Sequence, residues 1–200
     1  CVIGLVVTGS TGGNAMVWHF KLGYAVFALL LFRVVWGVVG GKWSRFSSFI
    51  YAPSTIIKHM KGQGEPQHAV GHNPLGALSV FALLGVLLAQ VATGLISDDE
   101  IAAAGPLTQF VSSATVSLAS SYHKAIGKPL IISLALLHVV AILFYVFKKR
   151  ESLIKPMIQG DKMLLIDVPA SKDNASTRLT AAIVFAACCA VVYGIVNMGS

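Results

Sequence analysis

The chain has 200 residues, 56% of them hydrophobic and only 12% charged, with a net charge of +7. Together with a mean hydropathy of +0.76, this is too apolar for a soluble domain of that length. The chain reads as an integral membrane protein.

A helix needs about 20 predominantly apolar residues to cross the hydrocarbon core. The opening run, 1–8, is too short and reads as the last two turns of a helix whose first half lies upstream of Cys1; a lipid-modified N-terminal Cys is the rival reading. Four later stretches qualify: 22–40, broken only by Arg33; 75–96 and 129–147, both free of charge; and 179–196. The expectation is an all-α integral membrane helical bundle forming a single transmembrane domain over 1–200. Its helices run at about 1–9 (partial), 18–40, 74–97, 123–147 and 179–197, with loops 41–73, 98–122 and 148–178 between the last four. Serines and threonines with Phe110 and Val111 make 107–122 a short surface segment, and Met157 with 163–166 partly orders 148–178.

The loops differ in charge. Lys42, Arg45, Lys58 and Lys61 face only Glu65 in the first, and the last carries seven basic residues against four acidic, whereas 98–122 carries Asp98, Asp99 and Glu100 with no Lys or Arg. By the positive-inside rule the two basic loops are cytoplasmic and the acidic one is outside. The protein is then a multi-pass protein of the bacterial inner membrane with Ser200 on the periplasmic side. The basic loops account for the net charge, so no nucleic-acid partner is needed.

Three of the six histidines, His19, His123 and His138, fall at or inside apolar runs. An imidazole there must find a partner, because the hydrocarbon offers no water, and such residues mark functional sites. With no CxxCH in the chain, a non-covalent haem iron is the partner this pattern points to. His19 and His123 stand near the outer face, and His138 lies roughly 22 Å deeper at 1.5 Å per residue, so two haem levels are implied.

The second helix carries a matching stripe. At 100° per residue Gly37 returns to the azimuth of His19, while Gly23 and Arg33 fall about 40° to either side, Arg33 roughly 21 Å deeper. Glycines there would let a flat macrocycle approach the backbone, or would simply pack helices. Arg33 would pair with a haem propionate, or snorkel to the cytoplasmic interface. His72, just before Asn73-Pro74, is either a helix-entry residue with Asn73 as N-cap or a propionate partner, a quinone-site group or a substitute iron ligand. His59 and His68 read as solvated. Three cysteines without a CxxC give neither zinc site nor covalent haem, Cys188 and Cys189 read as packing residues, and no HExxH, phosphate loop or nucleophile elbow is present.

WHFKLGY at 18–24, Arg33, Trp36-Gly37, GHNPLGA at 71–77, Gln90, Thr93-Gly94-Leu95, Gly105-Pro106-Leu107, His123, His138 and the tail from Leu153-Ile154 to Gly160 and Lys162 occur in an order that resembles the bacterial di-haem cytochrome b family, which includes the b-type subunit of nickel-iron hydrogenases. The resemblance implies a four-helix haem-binding core plus a fifth C-terminal helix, holding two b-type haems by histidine pairs. One pair maps to His19 and His123. The other joins His138 to a first-helix histidine that would precede Cys1. The interval from His123 to His138 is about one residue longer than is usual in that family, and Gly127-Lys128-Pro129 lies inside it: either His123 sits on a short segment ahead of the helix, or the helix bends there.

The function so implied is electron transfer between a periplasmic redox partner, such as a hydrogenase, a dehydrogenase or a c-type cytochrome, and the quinone pool. The alternative from a different class is a cofactor-free transporter or proton channel using the intramembrane histidines and Arg33 as a relay.

Overall fold

The computed structural model describes residues 1–64, 70–101, 103–150, 153–160 and 168–199. The expectations for His68 and for 163–166 lie outside these residues. Eight α-helices are described: α1 (Val2–Thr11), α2 (Met16–Val39), α3 (Pro53–Met60), α4 (Pro74–Leu95), α5 (Ser113–Ser121), α6 (Lys128–Phe147), α7 (Ile154–Gln159) and α8 (Ala175–Val196). Among the described residues the only β pairing is the isolated bridge between Asp98 and Ala104.

Local chemistry fixes the helix ends. At the start of α4, the Asn73 side chain accepts the Gly76 N–H at 2.7 Å, and Pro74 at the first helical position has no N–H to leave unpaired. Ser112 and Asn174 cap α5 and α8 in the same way, accepting from Thr115 and Thr177. Between α1 and α2 the backbone passes through φ +68° at Gly12 and +54° at Gly13. Only glycine enters that left-handed region without strain, so the tight reversal that lays α1 against α2 depends on this pair.

Four helical segments are long and apolar enough to cross a membrane: Gly13–Val39, Pro74–Leu95, Ser113–Phe147 and Ala175–Gly199. The third joins α5 to α6 without a break through a π-helical turn, Tyr122–Gly127. The helix expected to start at His123 therefore starts at Ser113, and His123 is inside it. At 1.5 Å per residue its 35 residues extend roughly 50 Å, well beyond the ~30 Å hydrocarbon core, so the Ser- and Thr-rich α5 stands clear of the apolar layer.

Packing brings α2 against α1, α4 and α8, and α4 against α6. Many large apolar side chains face outward, among them Leu136, Leu137 and Val140 of α6, each at least 60% exposed. In water such a surface would be an aggregation hazard; in lipid it needs no partner. Two side-chain contacts tie the ends of the bundle. Trp43 donates to the Pro169 carbonyl through its indole and to Ser171 Oγ through its backbone, joining the two basic loops. Gln109 donates to the Met198 carbonyl, so the end of α8 lies on the side of the acidic loop.

Candidate functional site

A cavity opens between α1, α2, α4 and the α5–α6 helix. It holds about 1280 Å³ of empty space, counting its open mouth, and is lined by His19, Gly23, Gln90 and His123 with apolar neighbours such as Leu5, Phe20 and Leu87. Its polar residues, Ser97, Asp98, Asp99, Lys124 and Lys128, gather where the acidic loop closes over it. An apolar chamber with a polar end suits an amphiphilic ligand.

His19 and His123 face each other inside it, their ring centroids 6.2 Å apart and their planes at 79°. The Nδ1 of His19 lies 3.0 Å from the Leu5 carbonyl, and the Nδ1 of His123 lies 3.0 Å from the Gln90 carbonyl. A carbonyl oxygen can only accept, so each Nδ1 carries the proton and each Nε2 keeps its lone pair free. Donation from the far ring nitrogen is the usual way a metal-binding imidazole is oriented and made more basic. Two imidazole nitrogens each about 2 Å from a metal would set the ring centroids roughly 6 Å apart. The spacing, the free lone pairs and the largely apolar lining all fit an iron porphyrin.

The two histidine positions are built alike. Leu5, Thr8 and Gly9 on α1 surround His19, and Gln90, Thr93 and Gly94 on α4 surround His123. Each threonine hydroxyl donates to the carbonyl four residues earlier in its helix, Gly4 or Ala89, and sits 3.4 Å from the histidine Nδ1. Each glycine carries the ring on its bare face. A Cβ on Gly9 would stand 2.8 Å from the His19 ring, and one on Gly94 would stand 2.9 Å from the His123 ring. Sequence reasoning missed Leu5, Thr8 and Gly9 altogether, and noted Gln90, Thr93 and Gly94 without giving them this role. The signal was present as the repeated V-x-T-G at 6–9 and 91–94.

Of the residues singled out from sequence, the cavity brings together His19, His123 and Gly23. Arg33, Gly37, His72 and His138 lie elsewhere, at the other end of the bundle. Gly37 is buried under the Phe46 ring, whose atoms occupy the place a Cβ would take. Arg33 donates to the Ser44 carbonyl and lies over Phe46 and Phe49 at 4.7 and 5.9 Å. His72 packs on Phe49, the ring centroids 4.6 Å apart and the planes tilted by 40°; burial, and then the charge of Arg33, hold its imidazole below its ordinary pKa. His138 is within 3.2 Å of Ser79 Oγ. Phe81, on the same turn of α4 as Ser79, packs on Phe46 and Phe49. One turn of α4 thus ties His138 and the Arg33 cluster to a common level. His59 is half-buried, its Nε2 3.5 Å from the Tyr145 hydroxyl, rather than solvated.

A membrane bundle with paired, carbonyl-oriented imidazoles facing an apolar chamber fits the class of transmembrane b-type cytochromes. The sequence profile of the prokaryotic cytochrome b561 family matches residues 1–160, and the chain belongs to that family. It is a membrane b-type cytochrome of electron transport, and the cofactor-free channel considered from sequence is set aside. No curated protein and no solved structure matches the chain. The matched region holds every residue of the cavity and leaves α8 outside it.

Proposed function

We propose that the chain carries electrons across the bacterial inner membrane through two haems b, an outer one between His19 and His123 and an inner one on His138. The observation that carries the outer assignment is the pair of facing imidazoles, each with Nδ1–H fixed on a helix carbonyl and Nε2 free. When bound, haem b held by two imidazoles supplies a reversible one-electron couple at an iron with no open position for substrate. Leu5 and Gln90 fix the ring tautomers. Gly23 borders the chamber, and Leu5, Phe20 and Leu87 keep it apolar. Lys124 and Lys128 at its polar end supply cations for propionates, since an unpaired carboxylate held out of water would cost several kcal/mol.

At the inner level His138 supplies one ligand, Arg33 the cation for a propionate, and His72 a polar group beside the aromatic cluster where a quinone head would fit. The electron donor or acceptor at the outer face is a periplasmic redox protein such as a hydrogenase or a c-type cytochrome, and the inner partner is the quinone pool. Charge distribution supports this orientation, with basic residues in 41–64 and 148–178 and acidic residues in 98–100.

His19→Ala and His123→Ala, made separately, are each expected to lose about half of the haem measured as pyridine haemochrome, and His138→Ala the other half. Full haem content in both outer variants would falsify the outer pairing.

A further inference from the structure

Gln90 holds His123 at both ends. Its backbone carbonyl accepts from the ring Nδ1, while its side-chain Nε2 donates to the His123 carbonyl at 3.0 Å. That carbonyl belongs to the π-helical turn and also accepts the Lys128 N–H, five residues on. A π turn is an uncommon local arrangement that recurs at functional sites. The next residue, Pro129, has no N–H to tighten the turn.

Room for the Gln90 amide comes from Gly127. A Cβ there would stand 1.9 Å from Gln90 Oε1 and 3.0 Å from its Cδ, so any other residue type displaces the amide from this seat. The same oxygen is buried with no hydrogen-bond partner. A buried acceptor left unpaired is unfavourable and calls for an explanation. The counterpart of Gln90 on the other side of the cavity is Leu5, which offers His19 its carbonyl alone.

We infer that Gln90 is a positioning residue for the His123 ligand. Its amide, seated on Gly127, locks the π turn so that the His123 ring stays against the Gln90 carbonyl. The two histidines that would hold the outer haem are thereby held unequally, His123 at its ring and its backbone and His19 by its ring alone. The inference rests on the assignment of His19 and His123 as the ligand pair. A firm Nδ1–H···O=C bond makes the coordinating nitrogen more basic and favours oxidised iron. Loosening it therefore raises the midpoint potential of the outer haem.

The test uses the full chain in detergent or nanodiscs, with redox titration and low-temperature electron paramagnetic resonance of the oxidised protein. Gln90→Leu is expected to keep both haems, raise the outer midpoint and displace the outer low-spin signal while the inner one stays in place. Gly127→Ala, which leaves Gln90 intact but takes its seat, is expected to do the same. The double variant should add nothing to either single change. Spectra and midpoints identical to wild type in Gln90→Leu and in Gly127→Ala overturn the inference, as do effects that simply add. Should Gln90→Leu fail to accumulate, Gly127→Ala alone decides by the same two readouts. If outer-haem signals survive His19→Ala and His123→Ala, the ligand assignment itself has failed. If those variants lose the signal while the Gln90 and Gly127 variants match wild type, only the positioning role has.

Discussion

Gly9 and Gly94 show what a missing side chain does in this site. Each imidazole lies across the bare face of a glycine one helix away, with ring atoms less than 3.0 Å from where a Cβ would be. A methyl group at either position has to push a ring that is also tied to a carbonyl, and such overpacking costs about 1–3 kcal/mol. Gly9→Ala and Gly94→Ala should each lower outer-haem occupancy, and Gly94→Val should abolish it, read as the Soret band per mole of protein. Occupancy unchanged in all three would mean that the rings have room the geometry denies. The histidines themselves were legible in the sequence because an imidazole inside an apolar run needs a partner. The groups that orient them were not, since a backbone carbonyl has no letter of its own and is revealed only when two helices meet.

Among the helices, the join between α5 and α6 differs most from the sequence expectation. The long His123–His138 interval and the Gly127-Lys128-Pro129 motif suggested a separate pre-helix segment or a bend. The π turn is a third solution: it takes up one residue within a continuous helix and leaves the flanking turns in phase. Composition could announce the spare residue but not where the hydrogen bonds would shift, because that depends on Gln90 arriving from α4. Deleting Ala125 from the π turn should therefore retain haem on His123. Deleting Ser133 from regular α6 turns everything before it by about 100° relative to His138 and should lose one haem. Pyridine haemochrome of the two deletions separates these outcomes, and equal losses would count against the phase argument. The other helices followed their apolar runs closely, with α4 starting at the Asn73-Pro74 signal. Gly37 and Gly23, by contrast, share a stripe on paper, yet one lies under Phe46 and the other lines the cavity, a distinction set by loop 41–52, whose path no periodicity encodes.

At the scale of the whole molecule, the chain is polarised. Trp43 bonds to Pro169 and Ser171, clasping the two basic loops at one end, and Gln109, in the loop that also carries Asp98 and Asp99, bonds to the Met198 carbonyl at the other. On the proposed orientation the basic end faces the cytoplasm. A phosphatase reporter fused after Met198 should thus be active, and one inserted after Gly62 inactive; the reverse pattern would invert the proposed direction of the whole site. The outer cavity also draws on widely separated parts of the chain. Its first imidazole follows α1 almost at once, whereas its second arrives only after α4 and the acidic loop have been made. During synthesis the first half of the site is therefore in the membrane well before the second emerges from the ribosome. On the proposed pairing, haem would not be clasped by both rings until that moment, so loading would be a late step of biogenesis and the newborn α1–α2 pair would wait, open on one side, for the rest of the protein.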